Sequence, residues 1–152
     1  VCFITHTGGR AQFLGSRIPF RKGTVVDTDG KPLAALDALE LVTIGQRRGL
    51  GLPGGGPKRY VVDIDHVSAT VTVGDESLLD CATTSVHSLV WADHPVSGEV
   101  LVQCSAHGSA QPAVLAEGLV RWHRPQRIVA PGQSVVFYDT TDSYVLGGGV
   151  AG

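Results

Sequence analysis

The 152-residue sequence predicts a mainly β chain, with a small central β-rich domain carrying one short helix and a C-terminal antiparallel β-barrel after it. Three observations carry that reading. Short β-branched and apolar runs recur through the second half at roughly the 8–12-residue spacing of small barrels and sandwiches. Turn residues punctuate them, among 20 glycines and 8 prolines. A helical pattern appears only near the start, where Phe13, Leu14 and Ile18 fall on one face.

The elements follow in order. Val1-Cys2-Phe3-Ile4 is a short apolar run that Thr7-Gly8-Gly9 breaks. Thr7 is placed to cap a helix through Arg10–Leu14, which ends before Pro19. Thr24–Asp27 is β-branched, and Asp29-Gly30 signals a tight turn back through Lys31-Pro32-Leu33. Leu39–Ile44 is apolar and feeds the loop Thr43–Leu52. Pro53-Gly54-Gly55-Gly56-Pro57 admits no regular element. Tyr60–Ile64 and Thr70–Val73 read as a hairpin around Asp65–Ser68, and Asp75-Glu76-Ser77 marks a boundary. Beyond it the expected strands are Thr83–Trp91, Gly98–Ser105, Ala113–Ala116, Leu119–His123, Ser134–Tyr138 and Tyr144–Leu146. In Leu119–His123, Val120 and Trp122 share one face, which puts Trp122 in the core.

Composition bounds the function. No apolar run approaches the roughly 20 residues of a membrane helix, and no signal peptide opens the chain. The sequence contains no methionine, even at position 1, which suggests a start inside a longer protein. Net charge is −2, so the chain is not a uniformly basic nucleic-acid binder. The distribution is uneven: residues 1–59 hold nine Lys/Arg against four acids, and residues 60–152 hold three against ten. Such asymmetry suits a first half that meets an anion, although clustering by chance gives the same count. Three widely spaced cysteines, Cys2, Cys81 and Cys104, form neither a disulfide framework nor a zinc pattern and fit a reducing cytoplasmic setting. No ligand spacing among the histidines points to a metal.

Two stretches stand out chemically. Thr43-Ile44-Gly45-Gln46-Arg47-Arg48-Gly49-Leu50-Gly51-Leu52 sets two guanidinium groups among bare glycine backbone. That arrangement suits phosphate or carboxylate, and it equally suits a solvated hairpin loop. Cys2 is the nucleophile candidate, since a following helix N-terminus would favour its thiolate; as a lone cysteine in an apolar run it also fits a small buried hydrophobe. Cys81 and Cys104 fall in or beside strand-like runs and read as structural. No P-loop or dinucleotide fingerprint is present.

Taken together, Val1–Ile4, the helix with Phe13-Leu14, Thr43–Gly51, Tyr60-Val61-Val62-Asp63, Pro131-Gly132-Gln133-Ser134-Val135-Val136-Phe137-Tyr138 and Leu146–Gly149 closely resemble the C-terminal part of the bacterial tRNA-specific 2-thiouridylases. The order and approximate spacing agree across nearly the whole chain, with 78–118 the most variable region. The resemblance implies that residues 1–15 end a catalytic domain, 16–75 form a central domain and 76–152 form a C-terminal β-barrel. It implies an upstream domain that binds ATP and holds a first catalytic cysteine. Cys2 matches the second, which accepts sulfur as a persulfide and later closes a disulfide with the first. ATP adenylates the wobble uridine, and the persulfide sulfur replaces its C2 oxygen. A sulfur-carrier or cysteine-desulfurase relay protein would supply the sulfur, and the fragment alone would be inactive.

Both later domains contact tRNA in that family. Gln133 matches a tRNA-touching glutamine of the barrel. Ser105, Ala106 and His107 stand where relatives often carry a basic, aromatic segment that also touches tRNA. With only His107 able to carry charge there, either Arg47, Arg48, Lys58 and Arg59 take more of the RNA or the barrel grips it less strongly. Arg47 and Arg48 are therefore included among the tRNA-binding candidates. The competing readings are a stand-alone, non-catalytic RNA-binding barrel and a structural β-domain with an inert cysteine.

Overall fold

The computed structural model describes residues 9–152. Cys2, Thr7 and the Val1–Ile4 run lie outside the described residues. The chain divides into two compact units, one ending at Leu78 and the other spanning Leu79–Gly152. The mainly β expectation holds: the first unit is a four-stranded sheet with one short α-helix, and the second is a closed six-stranded barrel.

In the first unit, helix α1 (Arg10–Gly15) has Gly9 at its N-cap, with no side-chain cap. Gly9 enters with φ 92°, a conformation open to glycine. The expected apolar face is incomplete, because Ile18 is 40% exposed. The Arg17 guanidinium lies 3.8 Å above the Phe13 ring. The sheet comprises β1 (Gly23–Val26), β2 (Pro32–Leu36), β3 (Tyr60–Asp65) and β4 (Thr70–Gly74), in the order β2-β1-β4-β3. β1 and β4 pair in parallel at the centre, flanked by antiparallel edges. Their inward residues, Val25 and Val71, are fully buried. Leu36, Leu39, Val42, Leu50, Val61 and Val73 complete that core.

Carboxylates tie the turns. Asp27 Oδ1 accepts from the backbone N–H groups of Asp29 and Lys31 at 3.1 and 2.9 Å. Asp65 accepts from the Ser68 hydroxyl and from the Val67 and Ser68 amides, which hold its pKa below the ordinary value. Arg21 braces the segment entering β1. Its backbone N–H and Nε donate to the two Glu40 carboxylate oxygens at 3.0 and 2.9 Å, and its Nη1 donates to the His66 carbonyl at 3.0 Å. The Arg21 backbone bond, then its side-chain bond, hold the Glu40 carboxyl down at about 2.

The barrel comprises β5 (Asp80–Trp91), β6 (Gly98–Gln103), β7 (Gln111–Ala116), β8 (Leu119–Arg127), β9 (Ser134–Tyr138) and β10 (Val145–Ala151). They close in the order β10-β5-β8-β7-β6-β9. Closure leaves no strand edge unpaired, which suits an isolated antiparallel sheet of this size. Alternate residues point inward as the two-residue period demands: Val100 and Val102, Ala113 and Leu115, Val120 and Trp122, Val135 and Phe137. Trp122 is therefore a core residue, and its indole N–H donates to Thr84 Oγ1 at 3.0 Å. Thr84 is the one buried polar residue among those described.

Two strands run well past their expected C-terminal ends. β8 continues to Arg127 through Pro125, and its pairing with β5 is interrupted between Arg121 and Gln126, so no ladder bond asks for the missing proline N–H. β10 absorbs Gly147–Gly149. A Cβ on Gly147, Gly148 or Gly149 would fall 2.5–2.7 Å from the carbonyl oxygens of Val90, Val135 and His87 respectively. Those glycines let β10 fit between β5 and β9, which makes a strand of what composition alone marks as low complexity.

Thr84→Val keeps the shape but strands the Trp122 N–H. We expect a loss of about 1–3 kcal/mol in urea unfolding, with the barrel still formed. Glu40 acts on the acid side. Its folded pKa is depressed, so the Arg21 brace contributes fully above about 4.5 and fades as pH falls toward about 2. Glu40→Gln should flatten the fall of stability across that window, measured as melting temperature against pH.

Candidate nucleic-acid interface

The loop Thr43–Leu52 is held at both ends and in the middle. Gly45 N–H donates to the Val61 carbonyl at 2.8 Å, and Val61 N–H returns a bond to the Gln46 carbonyl at 2.9 Å, so the loop extends the β3 edge. The Gln46 side chain accepts from Thr43 N–H at 3.1 Å and donates to the Arg48 carbonyl at 2.8 Å, closing the loop on itself. Leu50 is 1% exposed and plugs the core. Gly51 then passes against β2. It adopts φ 69°, and a Cβ there would meet the Ala35 carbonyl oxygen at 3.0 Å. The loop thus spans the sheet from one edge strand to the other.

With Gln46 turned inward and Leu50 buried, Arg47 and Arg48 are left exposed. They line a cleft of about 320 Å³ formed entirely by residues 47–59. Lys58 and Arg59 end that stretch, and Gly54–Gly56 lie between. No acid occurs between Glu40 and Asp63.

The unit boundary refines the charge reading. Residues 1–78 hold nine Lys/Arg against eight acids, whereas 79–152 hold three against six. The positive character of the first unit is local to this cleft and the early segment, because Asp63, Asp65, Asp75 and Glu76 belong to the same unit.

In the barrel, Gln133, Ser105 and Ala106 come together. They line a depression of about 280 Å³ with Gln103, Cys104, Ser134 and Val136. The Gln133 backbone is fixed: its N–H donates to the Ala130 carbonyl at 3.2 Å and its carbonyl accepts from Ala151 N–H at 2.9 Å. Its side-chain amide is exposed and makes no hydrogen bond among the described residues. Gln103, which sequence reasoning passed over, organises the other wall. It accepts from the Tyr138 hydroxyl at 2.8 Å and donates to the Gly108 carbonyl at 2.7 Å, pinning the loop that carries Ser105–His107 to β9. The signal was the tyrosine closing the Pro131–Tyr138 stretch, whose hydroxyl needs a partner when half-buried. His107 shares the loop but does not line the depression. No charged side chain lines it either.

Cys81 and Cys104 are free thiols. Burial, with a smaller contribution from Cys81, pushes the Cys104 thiol up to about 11. Although it lines the depression, Cys104 is a poor nucleophile at neutral pH. Among the described residues no three His, Cys, Asp or Glu side chains gather as a metal site, and no helix is long and apolar enough to cross a membrane.

These two units have counterparts among known domains. Residues 11–75 match the domain described as tRNA methyl transferase PRC-barrel, and residues 83–151 match the aminomethyltransferase beta-barrel domain. The fold thus defines a PRC-barrel unit joined to an aminomethyltransferase-type barrel. Proteins named tRNA-specific 2-thiouridylase from Mycobacterium bovis and Mycobacterium tuberculosis are 45% identical over 159 residues, spanning 97% of this chain and 43% of theirs. One from Mycobacteroides abscessus is 42% identical over 162 residues, spanning 99% of this chain and 45% of its own. The chain is thus similar to tRNA-specific 2-thiouridylases over nearly its whole length and spans less than half the length of these relatives.

The raised Cys104 pKa has a direct readout. In the native chain at pH 7.5, Cys104 should resist iodoacetamide and react promptly after denaturation, as followed by peptide mass spectrometry. Rapid native alkylation of Cys104 would contradict the burial assigned to it.

Proposed function

We propose that this chain is the tRNA-holding portion of a tRNA-uridine 2-sulfurtransferase. The observation that carries the proposal is the 45% identity to tRNA-specific 2-thiouridylases across 97% of the chain. In this reading a domain outside the chain binds ATP, which activates C2 of the wobble uridine, and Cys2 delivers sulfur from a persulfide. A cysteine needs thiolate character and reach for that task. The sulfur arrives from a carrier or desulfurase relay in the cytoplasm. The chain binds or positions the tRNA and by itself does not turn over. We assign residues 1–15 to the end of the catalytic domain, 16–75 to the central domain and 76–152 to the barrel.

The barrel depression takes an uncharged part of the tRNA. Its lining is neutral, and the exposed Gln133 amide can donate to and accept from a sugar or base edge. Ser105 and Ala106 shape its wall, and His107 stands beside it on the same loop. Arg47 and Arg48 contribute from the central unit through charge.

The test uses the full-length protein. Cys2→Ser should abolish 2-thiouridine formation and leave tRNA binding intact; unchanged thiolation removes Cys2 from the mechanism. Gln133→Ala should weaken tRNA binding several-fold without changing its salt dependence, because a neutral amide releases no counterion. Failure of the full-length protein to bind tRNA at all would sink the reading in favour of a structural β-domain. Binding without any thiolation by the wild-type protein would favour a non-catalytic RNA-binding barrel.

A further inference from the structure

Arg47, Arg48, Lys58 and Arg59 have no ion-pair partner among the described residues and fall together in one short stretch of the first unit. They sit at the two ends of the stretch that forms one cleft. Lys22 and Lys31, which also lack an ion pair among the described residues, do not line this cleft, and Arg17 and Arg21 are engaged elsewhere. Arg21 is held by Glu40, and Arg17 rests on the Phe13 ring and donates to the Phe13 carbonyl. Gathering four like charges in one cleft opposes folding, and the acid-free run from residue 41 to residue 62 provides no relief inside it.

The glycines of the cleft give an independent indication. A Cβ at Gly54, Gly55 or Gly56 would meet nothing within 4 Å, and of the three only Gly55 has positive φ. Neither packing nor backbone conformation therefore demands glycine at 54 and 56. What glycine supplies there is bare, approachable backbone N–H, the kind of surface that receives an anion between flanking cations. Pro53 and Pro57 bracket the run and limit its freedom.

Resting on the function proposed above, we propose that this cleft clamps the phosphodiester backbone of the tRNA, with Lys58 and Arg59 acting together with Arg47 and Arg48. Leu50 is turned into the core, and the cations at the two ends of the stretch are the charged groups the cleft offers. Recognition is by charge, so it acts on phosphates regardless of the bases they join. The clamp complements the neutral barrel depression, which contributes no charge.

Binding of unmodified tRNA to the full-length protein, measured across a potassium chloride series, tests the clamp. Lys58→Ala/Arg59→Ala should lower affinity about tenfold or more at low salt and reduce the slope of log K against log salt by roughly 1.5–2. The loss should be similar for tRNAs of different sequence. The charge-preserving Lys58→Arg/Arg59→Lys should keep the wild-type slope, which separates charge from folding. A wild-type slope in the alanine variant overturns the clamp while leaving the functional reading intact. Absence of tRNA binding by the wild type overturns both. Inorganic triphosphate distinguishes a free-anion site: displacement of tRNA at micromolar triphosphate, lost in the alanine variant, would assign the cleft to a small anion instead.

Discussion

The first unit depends on how the segment Thr43–Leu52 is fastened. A four-stranded sheet in the order β2-β1-β4-β3 has two edges and one face to cover. The loop meets β3 through the paired Gly45, Gln46 and Val61 bonds, drives Leu50 into the core, and passes close to β2 at residue 51, where a φ of 69° favours glycine. Edge protection, core filling and cation display come from the same ten residues. The arginines are exposed because their neighbours are not: Gln46 is consumed by the loop's own hydrogen bonds, and Leu50 by the core.

The barrel solves a different problem. Closure removes its edges, and the glycines of β10 allow the last strand to fit between its neighbours. With its core satisfied, including the Trp122–Thr84 bond, the barrel leaves one neutral depression with a fixed backbone and a free amide. A charged cleft and an uncharged depression make distinct demands on an RNA. In the proposed reading the first would meet phosphate and respond to salt, and the second would meet shape and hydrogen-bonding edges and would not. The barrel unit holds three Lys/Arg against six acids, so in the proposed reading charge-based gripping would fall to the other unit.

Much of this was legible in the sequence. The period-two runs gave the barrel strands, and the alternation around Trp122 placed it in the core. The Asp29-Gly30 turn and the hairpin around Asp65–Ser68 follow from local side-chain bonding. What failed was long-range. Nothing local says that Gly147–Gly149 is a strand rather than a loop, since the reason lies in carbonyls of residues far along the chain. Ile18 fits an apolar helical face yet remains exposed, because a period cannot show what covers it. At the candidate sites, residue types singled out Arg47 and Arg48 and the family resemblance singled out Gln133, but Gln103 emerges only when Tyr138 is seen to bond it. Cys104 reads as structural from its strand-like surroundings, and its raised pKa agrees with that chemistry.

The central claim is that a charged cleft and a neutral depression, one in each unit, are the surfaces that hold tRNA. Hydrogen exchange of the full-length protein with and without saturating tRNA measures it directly. The account predicts slowed exchange at residues 45–59 and at 103–108 and 130–134, with the Val90 and Tyr144 region unchanged. Protection confined to other segments, with those three unaffected by tRNA, would contradict it.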